Sequence, residues 1–291
     1  MLRIYDKSND LTAVLWDSVT EPESVLNADG WKSQSNKTSG LSHFSRKADT
    51  SWLGVPSVDA LRKVLTKGWQ AGAERIDKIP LGELPEPTSI RRRRVRADQG
   101  DELDMQAVYR GDLSRAWSRT KRQSRASVRS VSIVIDLAGN SNVTSEQLFW
   151  RGASGLRLAD ELTKAGYSVA IYGAAGAADV SVEGYENVAQ FVEIKAEDSP
   201  LDMDRLAALT GLSGFFRTSL FAGIYWSNDQ LGKETRSSLG QSNNTLIAKA
   251  IKHLPIPQNA IIQPPVKNQT GAEAWLKSVL EQIANPEQQV A

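Results

Sequence analysis

The sequence predicts an α/β protein, a mainly parallel sheet covered by helices on both faces, preceded by a basic N-terminal region that is irregular or helical. Three observations predict it. Residues 131–136 (Val-Ser-Ile-Val-Ile-Asp) are a β-branched run ending in an acid, the pattern of a strand buried on both faces. From a cap at Thr144 or Ser145, Leu148, Gly152, Leu156, Ala159 and Leu162 recur at helical spacing as far as Lys164, and Gly166 stops them. Residues 167–172 (Tyr-Ser-Val-Ala-Ile-Tyr) supply a second strand. Strand, loop, helix and strand in that order belong to a layered α/β core.

Taken in order, residues 1–30 are weakly patterned, and the apolar run from Leu11 to Trp16 fits a short strand or a helical turn. Residues 31–40 are polar and basic and lead to His43, Phe44, Arg46, Lys47 and Trp52. Residues 51–57 read as a turn, with Pro56 and Ser57 or Asp59 opening a helix whose apolar stripe is Val58, Leu61, Val64, Leu65 and Trp69. Three prolines between residues 79 and 88 predict an extended linker. Beyond the second strand, residues 173–178 (Gly-Ala-Ala-Gly-Ala-Ala) read as a flexible edge loop, since they lack the glycine spacing and the Gly-Lys-Ser/Thr ending of a phosphate loop. A third strand is expected over 188–194 and a helix from Pro200 or Asp202 to Leu209. The apolar segment 215–226 is long enough for a helix, and 227–246 reads as a polar loop. Then come a short helix over 246–251, a short strand over 260–262, a closing helix over 271–283 and a frayed tail. The division this implies is an N-terminal aromatic and basic region (1–88), an arginine-rich segment (89–130), an α/β core (131–285) and a tail (286–291).

Charge separates the two halves. Residues 1–130 carry 23 Lys/Arg and 17 Asp/Glu, whereas 131–291 carry 12 and 17, so a formal net charge of +1 conceals a basic half and an acidic half. The basic excess is concentrated in Arg91, Arg92, Arg93, Arg94, Arg96, Arg110, Arg115, Arg119, Lys121, Arg122, Arg125 and Arg129. Guanidinium groups remain charged at any biological pH, bind phosphate through paired donors and stack on bases. Tyr109 and Trp117 stand among these arginines, and Trp31 and Trp52 flank a second basic stretch with Lys32, Lys37, Arg46 and Lys47. Cations interleaved with aromatic rings suit single-stranded nucleic acid, whose backbone follows the charges and whose bases stack on the rings. The plainer alternative is a solvated helix, because Arg115, Arg119, Arg122 and Arg129 fall roughly on one helical face, with Trp31, Phe44 and Trp52 as ordinary core aromatics.

Other functional classes lack their residues. There is no cysteine, which excludes disulfides and thiolate metal sites, and His43 and His253 are the only histidines. No catalytic triad can be assembled from them, so neither an enzyme nor a bound cofactor is expected. Charged residues interrupt the first sixteen positions, unlike a signal peptide, and no apolar run has membrane-spanning length; a soluble cytoplasmic protein is the expectation.

Residues 51–54 (Ser-Trp-Leu-Gly), 67–69 (Lys-Gly-Trp), the basic segment 109–129, and 133–136 followed by 150–153 (Trp-Arg-Gly-Ala) together resemble a phage-encoded family of single-stranded DNA-binding cofactors of a phage RNA polymerase. The likeness covers most of residues 50–285. It implies a degenerate von Willebrand A-type core, no enzymatic activity, affinity for unpaired DNA, and recruitment of a phage-encoded RNA polymerase to opened promoters, in the host cytoplasm. The loop 136–141 (Asp-Leu-Ala-Gly-Asn-Ser) is similar to the metal-binding loop of A-type domains, with Ala138 and Asn140 where that loop has serines. Two oxygen ligands are thereby changed, and Asp136 is expected to bind loop amides or cap a helix instead of holding a cation. A different class of function stays open: a protein-interaction module whose arginine-rich arm docks onto an acidic protein surface.

Overall fold

The computed structural model describes residues 2–6, 11–22, 24, 50–81, 93–97, 102–103, 105–113, 116–121, 130–139, 142–177, 187–229 and 244–284. Strands β1 (Leu2–Asp6), β2 (Leu11–Trp16), β6 (Ser130–Asp136), β7 (Ser168–Ala177), β8 (Asn187–Lys195) and β9 (Ile261–Ile262) form one sheet in the order β1-β2-β8-β7-β6-β9. A separate sheet joins β3 (Arg93–Ala97), β5 (Trp117–Lys121) and β4 (Glu102–Leu103) in the order β3-β5-β4.

The protein is α/β, as the sequence predicts, but the large sheet is mixed instead of mainly parallel. β2 with β8, β6 with β7 and β6 with β9 are parallel, while β1 with β2 and β7 with β8 are antiparallel. Chain length explains the exceptions. A parallel crossover needs about a dozen residues or more, and only nine lie between Ala177 and Asn187 and four between Asp6 and Leu11. Strands β1 and β2 thus enter the core sheet, so the core does not begin at residue 131.

Both faces of the sheet are covered. On one face Val14, Trp16, Ile133, Ile135, Val169 and Ile171 pack under helices α3 (Gln70–Asp77), α5 (Ser145–Lys164), α6 (Met203–Gly211), α8 (Phe221–Asp229) and α10 (Gln269–Ala284). On the other, Ala13, Leu15, Val134, Ala170, Tyr172 and Phe191 pack under α9 (Asn244–Ile251). Every residue of β2 is therefore buried, which gives it an apolar run without the alternation of a half-exposed strand. Its end is fixed by a buried hydrogen bond of 3.0 Å from Trp16 Nε1 to Gln190 Oε1.

Helix α5 starts where the sequence places it. Thr144 accepts from the Gln147 amide, and the Gln147 side chain accepts from the Thr144 amide, so two otherwise unpaired donors are satisfied. Gly155 lets α5 lie on Ile135 of β6 and Gly152 lets it touch α6; a Cβ at Gly155 would stand 2.7 Å from the Ile135 side chain. The small residues after Tyr172 serve the same end. The segment from Gly173 to Ala177 is the interior of β7 and not an edge loop, with Ala174 and Ala175 fully buried, and a Cβ on Gly173 would meet Leu137 and Ile194 at 2.6 and 2.9 Å.

Before the arginine-rich segment, Thr50–Leu53 forms the helical turn α1 where a plain turn was expected, and Val58–Lys67 forms α2, capped by Ser57. Gly68, at φ 91°, ends α2, and α3 follows directly. Helix α3 is illegible in the sequence because Gly72 weakens it and no capping side chain opens it. A tertiary clamp holds it: Arg75 donates to both carboxylate oxygens of Glu146 on α5 and lies 3.8 Å over the Phe149 ring. The hydrogen bond from Arg75 is the main cause that holds Glu146 below the ordinary carboxylate range. This depressed group stabilises the fold above its unfolded-state pKa, and that contribution is lost as pH falls through the folded-state value. Both partners are about half exposed, so Glu146→Gln is expected to cost less than about 1 kcal/mol at pH 7 and progressively less as the pH falls through the folded-state value, as read from denaturant midpoints.

The apolar segment after α6 is helical: Ser213–Phe215 (α7), a wide π turn over Phe216–Leu220, then α8. Arg217, in the π turn, is buried with them. It donates to the carbonyls of Trp52 (2.8 Å) and Val143, lies 4.0 Å over the Trp52 ring, and burial lowers its guanidinium to about 10, so it stays charged at neutral pH. Among the described residues no helix is long and apolar enough to cross a membrane.

Candidate nucleic-acid interface

The site is built by folding the arginine-rich segment against itself. Arg-Arg-Val-Arg-Ala over β3 and Trp-Ser-Arg-Thr-Lys over β5 run antiparallel, with Arg93 opposite Lys121, Arg94 opposite Thr120, Val95 opposite Arg119, Arg96 opposite Ser118 and Ala97 opposite Trp117. β4 pairs with the other edge of β5, placing Glu102 opposite Ser118 and Leu103 opposite Trp117. Val95, Thr120 and Trp117 favour an extended backbone, while the arginines of β3 form the charged edge by which a small sheet resists pairing with other chains.

Residues 117–121 are thus a strand, which corrects the helical face drawn through Arg115, Arg119, Arg122 and Arg129. Arg93–Ala97 is likewise a paired strand and not part of an extended arm. Five of the predicted basic positions, Arg93, Arg94, Arg96, Arg119 and Lys121, meet in one ribbon although nineteen residues separate the strands in sequence.

Between β4 and β5 the chain forms helix α4 (Met105–Tyr109), which Gly111 closes. Its φ of 75° suits glycine, and the amides of Gly111 and Asp112 return to the carbonyls of Val108 and Ala107. Ala107 and Ala116 are buried here, whereas Tyr109 is 82% exposed and Arg110 is exposed beside it. Trp117 is partly exposed. Leu103, Met105 and Leu113 are also exposed, so with Tyr109 the exposed large apolar side chains among the described residues all belong to this one segment. Composition alone did not single out these three, nor Ser118 and Thr120 opposite the arginines. The alternation of Trp117, Arg119 and Lys121 with Ser118 and Thr120 is a period-two pattern that marks the strand.

Other predicted positions lie elsewhere. Trp52 is in α1 and half-buried, with one ring face under Arg217 and its carbonyl accepting from Ser213 and Arg217, in an element well apart in sequence from the ribbon. Trp31, Lys32, Lys37, Arg46, Lys47, Arg91, Arg92, Arg115, Arg122, Arg125 and Arg129 lie outside the described residues, as do Asn140, Ser141 and the tail.

Asp136, at the C-terminal end of β6, has a structural role. Its Oδ1 accepts from the Ala138 amide at 2.8 Å, the loop-amide bond expected from the sequence, and its Oδ2 is 3.6 Å from the Arg151 guanidinium. Burial lowers the pKa of Arg151 while Asp136 opposes that shift. Arg151 supplies a positive charge beside this carboxylate, and among the described residues no group of three or more histidine or acidic side chains is placed to hold a metal ion.

The molecule is therefore an α/β protein with a helix-covered mixed sheet and a small basic ribbon. It belongs to the family described as a domain of unknown function (DUF7192), which matches residues 3–284, from β1 to α10. No curated protein matches the chain, and no solved structure matches it.

Proposed function

We propose that the protein binds single-stranded DNA, with little dependence on sequence, through the β3-β5-β4 ribbon. One observation carries the reading: the strand register gathers Arg93, Arg94, Arg96, Arg119 and Lys121 into a single ladder with Trp117 in it, and the exposed Tyr109 and Arg110 lie on the connection between its strands. Cations suit the backbone and rings suit unpaired bases, the two components of sequence-tolerant single-strand binding. Following the sequence resemblance, the DNA-bound protein recruits a phage-encoded RNA polymerase to opened promoters, and its part in transcription needs no catalytic residue of its own. The degenerate von Willebrand A-type character of the core is part of the same proposal.

The test keeps charge constant. Trp117→Ala with Tyr109→Ala is expected to weaken binding to a labelled single strand by about 1–3 kcal/mol for each base that loses its stacking partner. Unchanged affinity would leave a purely ionic contact. A second reading is favoured by exposed Leu103, Met105 and Leu113: a protein-interaction module that binds no nucleic acid. Leu113→Ser abolishing partner capture, in a protein that binds no oligonucleotide, would establish it.

A further inference from the structure

We propose that the two faces of the ribbon divide the labour, and that the face bearing Arg94, Arg96, Ser118 and Thr120 is a phosphate track for the backbone of an extended single strand; this rests on the single-strand reading above. Alternate residues of a strand belong to one face, and directly opposed residues share it. The register therefore assigns Arg93, Val95, Ala97, Trp117, Arg119, Lys121 and Leu103 to one face, and Arg94, Arg96, Ser118, Thr120 and Glu102 to the other.

The two faces differ in chemistry. The first is apolar at one end, with Ala97, Trp117 and Leu103, and basic at the other. The second has no apolar residue, and each of its arginines stands directly opposite a hydroxyl: Arg94 opposite Thr120 and Arg96 opposite Ser118. A guanidinium fork with a hydroxyl donor is a suitable set for the oxygens of one phosphate. The two sets recur at the alternate-residue interval of a strand, about 6.8 Å, which is of the order of the separation of successive phosphates in an extended single strand. Rigid duplexes present paired backbones across a groove, whereas one ribbon face offers a single row. Glu102, opposite Ser118 on its far side, sets the boundary of the track, since a carboxylate there repels phosphate.

Four variants of the protein test this with a labelled mixed-sequence single-stranded oligonucleotide. Arg94→Ala/Arg96→Ala and Arg93→Ala/Arg119→Ala remove the same charge from opposite faces. The first is expected to reduce the slope of log K against log salt by about 1.4, two phosphate contacts on a single strand, and the second by less than half as much. Glu102→Gln is expected to tighten binding severalfold. Arg94→Lys/Arg96→Lys guards against loss of the ribbon: it keeps the charge and the strand and is expected to weaken binding about tenfold through the lost fork geometry. Equal slopes for the two alanine pairs, or no effect of Glu102→Gln, would overturn the track while leaving single-strand binding in place. A wild-type protein that binds no single strand would remove both together.

Discussion

Replacing Asp136 by alanine is expected to lower stability by about 3–5 kcal/mol, the cost of leaving a buried charge without its partner. Asp136 is fully buried and Arg151 is 2% exposed, 3.6 Å from it. The Arg151 guanidinium is fixed from other sides as well, since it donates to the carbonyls of Ala138 and Val266. It cannot swing into solvent without breaking those bonds, so deleting the carboxylate leaves the guanidinium in a site that already disfavours its charge. Asp136→Leu combined with Arg151→Met removes both ions and is expected to cost less than the single alanine change. Urea unfolding of the three variants measures this; a loss under about 1 kcal/mol in Asp136→Ala would show that the pair is not coupled as the geometry requires.

Gly152→Ala is the second large effect, at about 3 kcal/mol or more. The added methyl would fall on the Thr210 carbonyl and 2.9 Å from the Gly211 amide, both backbone atoms of α6, and a backbone cannot yield as a side chain does. The helices must separate, and the core that Phe149, Leu156, Leu206 and Leu209 share loosens with them. Gly166→Ala is the control. Nothing stands within 4 Å of a methyl there, and only the positive φ of 87° resists it, worth about 1 kcal/mol. Thermal unfolding should place Gly152→Ala well below Gly166→Ala; equal midpoints would mean that α5 and α6 adjust freely.

These two sites also show what was legible in the sequence. The strand ending in Asp136, the Thr144 cap and the helical recurrence from Leu148 to Leu162 are local patterns, and all stand where the pattern puts them. Topology was not legible, because the direction of β8 depends on the length of its connection and the place of β2 on partners 176 residues away. Residues 173–177 misled for a related reason: glycine and alanine mark a loop locally, but here they admit neighbours to a central strand. In the candidate interface, residue types were readable and their grouping was not. Arginine spacing fits a helix until the alternation of Trp117 to Lys121 is taken as a strand, and only then do Ser118 and Thr120 acquire partners. Nothing local in the sequence foretells that a buried arginine 165 positions later lies over one face of the Trp52 ring.

Fluorescence anisotropy with one labelled mixed-sequence oligonucleotide, presented as a single strand and then as a duplex at near-physiological salt, tests the central claim most directly. The account predicts clear preference for the single strand, weakened when Arg93, Arg94 and Arg96 are replaced by alanine. Equal affinity for both forms, or none for either, would contradict it.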